Sequence, residues 1–176
     1  PGRKNAWNLT SGRGAWAART DCRVSCIIVN DASALIDLKK GELLHVLGAL
    51  PFRWIVPLPI REEEMLSFSG QDWATLEALG FEVFDLPPAL VGEAFAVRRA
   101  FPRLSANDCF CLVSAAGHQN AILLTGDGEL RSVAEARTIE VHGVLWIADH
   151  LFDAQACDAC KIACNNDPLR GGFRFQ

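Results

Sequence analysis

Four carboxylates stand where hydrolysis assisted by a metal ion would need them: Asp31, Glu63, Asp108 and Asp127. Asp31 closes the apolar run Cys26-Ile27-Ile28-Val29-Asn30, and Asp127 follows Ala121-Ile122-Leu123-Leu124 through Thr125-Gly126. In an open parallel sheet, ligands bind beyond the carboxyl ends of the strands, so acids placed there converge on one pocket. Hard oxygen donors of this kind suit Mg²⁺ or Mn²⁺. Such an ion activates water and neutralises the charge that develops on a phosphoryl group. Without a cation, packed carboxylates repel one another.

Each acid also has a structural role open to it. Asp31 can cap a helix near Ser33. Ser105-Ala106-Asn107-Asp108 fits a capping box, and Asp127-Gly128 fits a turn or a helix cap. Glu62, Glu63 and Glu64 are consecutive, so only one or two of them can face a pocket.

The elements that must position these residues alternate between strand and helix. Strands are expected at 26–30, 54–56, 81–86, 121–124 and 138–141. Between them, Ser33 opens a helix through Leu38, Glu42–Leu50 continues as helix, and Pro57–Leu66 turns into a third helix. A capping box at Ser69–Asp72 opens a helix to Leu79. Further helices follow Pro87-Pro88, Ser105, Gly128 and Gly143. This pattern predicts a single α/β domain, a central parallel sheet of five strands with helices in three layers, α/β/α. The domain spans 26–152. Residues 1–25 read as a poorly ordered lead, and 153–176 as a partly helical tail.

Four segments occur in one order: Val29-Asn30-Asp31-Ala32-Ser33-Ala34-Leu35-Ile36, Val56-Pro57-Leu58-Pro59-Ile60-Arg61-Glu62-Glu63, Leu104-Ser105-Ala106-Asn107-Asp108 and Leu124-Thr125-Gly126-Asp127-Gly128-Glu129-Leu130-Arg131. Together they resemble the PIN-domain family, over roughly residues 26–152. Glu140-Val141-His142-Gly143-Val144-Leu145-Trp146-Ile147 resembles a bacterial and archaeal PIN subgroup described as predicted nucleic-acid-binding. The resemblance implies a Mg²⁺- or Mn²⁺-dependent ribonuclease, with Asp31, Asp108 and Asp127 holding the ion and Glu63 joining directly or through water. It implies that Ser33 and Thr125 orient the carboxylates, with Asn107 and Glu129 outside them. It extends to toxins of VapBC-type toxin–antitoxin pairs, and so to an RNA substrate, a small antitoxin partner and a homodimer. Arg98, Arg99 and Arg103 form the best basic cluster for substrate phosphates, against the plainer reading of a solvated helix face.

Two rival readings come from other classes. One is a PIN-like module that binds nucleic acid or protein without activity, which the four filled acidic positions disfavour. The other is an aspartyl-phosphate phosphatase, but that chemistry usually needs a second acid two residues after the nucleophile, and position 33 is Ser.

The remaining features are less specific. Net charge is −4, against a generally basic nucleic-acid coat, although residues 1–26 carry five basic residues and Asp21 alone as acid. Seven cysteines without a scaffold spacing, and no apolar leader in 1–26, point to a reducing cytoplasm. Cys157, Cys160 and Cys164 share a helical face and lack a good fourth zinc ligand, so packing or an interface is the expectation. Cys109 and Cys111 are expected in the core, as are Trp54 and Trp146. The four histidines look isolated.

Overall fold

The computed structural model describes residues 26–64 and 67–156. Five strands form one parallel sheet: β1 (Ile27–Asn30), β2 (Arg53–Pro57), β3 (Phe81–Phe84), β4 (Ala121–Leu124) and β5 (Glu140–His142), in the spatial order β3-β2-β1-β4-β5. β1 and β4 are apolar nearly throughout and fully buried, as strands covered on both faces must be. The order reverses at β1: the chain first builds outward through β2 and β3, then returns to lay β4 on the other side. The gap between the ends of β1 and β4 is therefore the switch point, where such sheets bind ligands.

Register brings the two ends level. Ile27 pairs with Ala121 and Asn30 with Leu124. One further bond, from the Asp31 amide to the Leu124 carbonyl (3.1 Å), carries the pairing past the strand ends. The Thr125 amide makes the equivalent bond to His142 (3.0 Å), so Asp31, Thr125 and the start of the next loop form one terrace.

The helices are α1 (Ala32–Lys40), α2 (Gly70–Ala78), α3 (Pro88–Ala100), α4 (Ala106–Ala116), α5 (Gly128–Ala136) and α6 (Val144–Asp153). α3 packs on α4 and α4 on α5, while α1 packs on α6. Right-handed crossovers put these two sets on opposite faces of the sheet. Among the described residues, no helix is long and apolar enough to cross a membrane. The core runs through both layers. Trp54 is buried and stacks on Phe81, with ring centroids 5.1 Å apart, and Cys109 and Cys111 are buried in α4.

Several expectations shift for local reasons. Asp31, not Ser33, caps α1. The predicted helix over 42–50 is a 3₁₀ segment, Leu44–Ala49, because Glu42 takes a positive φ of 54° in the turn that ends α1. The helix expected from Pro57 is a π-helical turn, Ile60–Glu64. β5 begins at Glu140 rather than Thr138. Thr138 holds a positive φ of 60° and its amide bonds back to Glu135, closing α5. A β-branched residue there is unusual, which is why its strand propensity misleads. Cys22, Cys157, Cys160, Cys164, Trp7 and Trp16, together with the expected lead and most of the tail, lie outside the described residues.

Both capping boxes form. Ser69 and Asp72 close one at α2, and Ser105 and Asp108 close the other at α4. Ser69→Ala and Ser105→Ala should each cost about 1 kcal/mol of stability. Urea midpoints check this, and a cost at only one helix would contradict the shared geometry.

Candidate active site

Asp31 lies at the centre. It is 4% exposed, and all of its hydrogen bonds are local or span the switch point. Its Oδ1 accepts from the Ala32 amide at 2.8 Å. Its Oδ2 accepts from the Ser33 hydroxyl at 2.6 Å and from the Thr125 hydroxyl at 2.9 Å. Each hydroxyl in turn accepts from a backbone amide of the loop after β4: Ser33 Oγ from Gly126 (3.2 Å), across the switch point, and Thr125 Oγ1 from Asp127 (3.0 Å), within its own turn. With an amide donating to each oxygen, both hydroxyl protons are directed at Asp31. The two side chains thus lock the Thr125–Asp127 turn onto α1.

Burial pushes the Asp31 carboxyl above its ordinary range. The Ser33, Thr125 and Ala32 donors oppose that shift, while the negative charge of Asp108 adds to it. An ionised Asp31 is thus a buried charge stabilised by hydroxyl and amide donors, with no ion pair to a cation among the described residues.

The structural alternatives for the acids all materialise. Asp31 caps α1, the Asp108 Oδ2 accepts from the Ser105 amide at 2.6 Å, and the Asp127 Oδ1 accepts from the Leu130 amide at 2.7 Å. Capping occupies one oxygen of a carboxylate. Among the described residues, Asp108 Oδ1 and Asp127 Oδ2 have no hydrogen-bond partner, so capping leaves one oxygen of each open.

Glu63 is exposed on the π-helical turn and accepts a long hydrogen bond, 3.4 Å, from Asn107 Nδ2. Asn107 is itself buried, and its Oδ1 has no partner. This orphaned oxygen beside Asp108 and Glu63 is the kind of group a cation or ordered water satisfies.

The acids nonetheless remain spread. Among the described residues, no three His, Cys, Asp or Glu side chains are gathered into a group set to hold a metal. The donor chemistry fits a hard cation, being all oxygen, and the mutual repulsion of Asp31 and Asp108 fits a site that a cation would relieve.

Glu129 pairs with Arg103 at 3.7 Å. That contact ties Arg103, 83% exposed, to the first turn of α5, which Asp127 caps. Arg98 is spent on the Pro102 carbonyl (2.6 Å), and Arg99 is exposed near the end of α3. Of the three arginines, Arg103 alone has a contact leading to the acidic loop.

Sequence reasoning missed Arg131. Its guanidinium donates to the Val141 carbonyl (3.3 Å) and the Thr125 carbonyl (3.5 Å), joining β4's exit to β5 beneath the Asp127 turn. The available signal was its place four residues after Asp127, on the same helical face. The histidines are not all isolated: His142 and His150 both pack on Trp146, at 4.4 and 4.1 Å between centroids. Trp146 is half-buried rather than in the core, and lines a cleft of about 670 Å³ with Ser33, Thr125 and Asp127.

Asp31→Asn keeps the shape of the side chain and removes the buried charge, with an Nδ2 that donates where one Asp31 oxygen accepts. It should melt above wild type at neutral pH. A wild-type Asp31 with a raised folded pKa gains relative stability as it takes up a proton, so the gap should close as pH falls toward 3.8, its ordinary value. Thermal melts across pH check this, and a gap that is absent or independent of pH would contradict it.

A family model described as a PIN domain matches residues 27–166, which is most of the chain. No curated protein matches it. The chain belongs to the PIN-domain family, whose members are generally nucleases that use divalent metal ions.

Proposed function

We propose that this PIN domain is a metal-dependent endoribonuclease that hydrolyses RNA phosphodiesters at the Asp31 site. The observation that carries the reading is the double hydroxyl bridge from Ser33 and Thr125 to one buried carboxylate oxygen across the switch point. A protein gains little stability from burying an uncompensated carboxylate, and function is the usual reason such a group is kept.

On this reading Asp31, Asp108 and Asp127 hold Mg²⁺ or Mn²⁺, with Glu63 joining directly or through water. The bound ion supplies charge neutralisation at the phosphate and lowers the pKa of water. The chain's own residues do the rest. Ser33 and Thr125 aim Asp31, and Asn107 holds Glu63 at the rim. Arg103 offers an exposed cation for a flanking phosphate. The toxin role belongs to the same proposal: a small antitoxin would silence the site by inserting an Arg or Lys among the carboxylates, and a homodimer would be the working unit.

One observation favours a second reading, a binding module without activity: the acids are not drawn together as they stand. Cleavage of mixed structured and single-stranded RNAs with Mg²⁺, Mn²⁺ or EDTA separates the two. Cutting should require the cation. Asp31→Asn and Asp108→Asn should abolish it, and Thr125→Val should slow it roughly 10–100-fold, as loss of a ligand-orienting partner does. RNA binding that is indifferent to divalent cation, with no cutting, would favour the module. Cutting that survives both Asp substitutions would sink the mechanism.

A further inference from the structure

The cleft beside the acids has features that the acidic centre does not require. One wall is the Thr125–Gly128 turn, and the other is the start of α6. Gly126, Gly128 and Gly143 all line it, and none has a positive φ, so backbone conformation does not demand glycine at any of them. What they share is missing bulk. A Cβ on Gly143 would sit 3.7 Å from Arg131 Nη2 and 3.9 Å from the Thr125 carbonyl oxygen, inside the space between the cation and the acidic turn. A Cβ on Gly128 would project into open space.

The lining chemistry is mixed. Among the described residues, the Arg131 guanidinium is held by long contacts, 3.3–3.7 Å to Val141, Thr125 and Glu135, so an anion can compete for it. Asp37, the acid on the α1 side, is partly offset by Lys40 at 3.6 Å. Leu145 is 48% exposed, an apolar side chain at the cleft rim. Next to it, Trp146 is braced by His142, His150 and Phe52, which makes a stiff wall. The volume, about 670 Å³, lies within the roughly 300–1,000 Å³ typical of pockets that enclose a small ligand.

We propose that this cleft is a nucleotide subsite next to the acidic centre, taking one unpaired nucleotide of a single-stranded substrate. The phosphate lies toward Arg131 and the backbone runs over the glycines. The base rests on Leu145 and against the edge of Trp146, whose ring is already stacked on His142 and Phe52. This deepens the nuclease reading and rests on it for the identity of the substrate. It makes the enzyme selective for single strands, because a base held in a duplex cannot enter a pocket set beside the scissile bond.

The test is amide and indole chemical-shift mapping of the full chain with a short single-stranded RNA and with the same sequence as a duplex. The single strand should shift Gly126, Gly143, Leu145 and the Trp146 indole, and the duplex should not. Gly143→Val should bind the single strand roughly tenfold or more weakly, the scale of losing one stacked base. Gly143→Ala, which adds only an ordinary contact, should melt like wild type and fall between the two in affinity. Shifts confined to other surfaces, equal response to the duplex, or full affinity in Gly143→Val would overturn the subsite. The two readings fail separately. Cation-dependent cutting lost in Asp31→Asn with an unperturbed cleft removes the subsite alone. Cleft binding without any cutting removes the nuclease reading alone.

Discussion

One buried charge organises this end of the molecule. Asp31 sits at the point where strand order reverses, with its carboxylate almost out of water and, among the described residues, no ion pair to a cation. The compensation available is dipolar: two hydroxyls and one amide, delivered from α1 and from the loop after β4. Those donors are useful only if β1 and β4 end level, and their register makes them do so. The sheet topology, the turn after β4 and the first turn of α1 are therefore constrained by one requirement, the partial solvation of a single carboxylate.

The other acids follow a different economy. Asp108 and Asp127 each give one oxygen to a helix start and keep the other available. Capping fixes their position with a bond the helix needs in any case, so a site can be held rigid by elements that fold for local reasons. It also explains the cost of the arrangement. The fold keeps Asp31 against desolvation and against the charge of Asp108, which is strain retained at a site rather than stability gained.

Much of this was legible from residue order. Apolar runs of four or five residues bounded by Gly, Pro and Asn give buried parallel strands, and the Ser–x–x–Asp spacing gives both capping boxes. The four acids stood out because each lies beside a strand end or a helix start, and the resemblance to the PIN-domain family joined them, with the two hydroxyls, into a set. The sequence did not disclose which contacts join them. That Thr125 and Ser33 meet on the same oxygen of Asp31 depends on strand register, which no local pattern encodes. Thr138 looked like strand because β-branching favours it, but it serves as a helix stop in a left-handed conformation. Trp146 looked like core because tryptophan usually is. Its half-buried place on the cleft, with His142 brought from β5, is a tertiary fact.

The central proposal is that Asp31, Asp108 and Asp127, spread as they stand, hold one divalent cation that relieves their charge. Thermal stability measured against Mn²⁺ concentration tests it most directly, since an ion that binds only the folded state raises the melting temperature. The account predicts a saturable rise in wild type that Asp31→Asn removes, although that variant starts from the more stable fold. No rise in wild type, or an equal rise in Asp31→Asn, would contradict it.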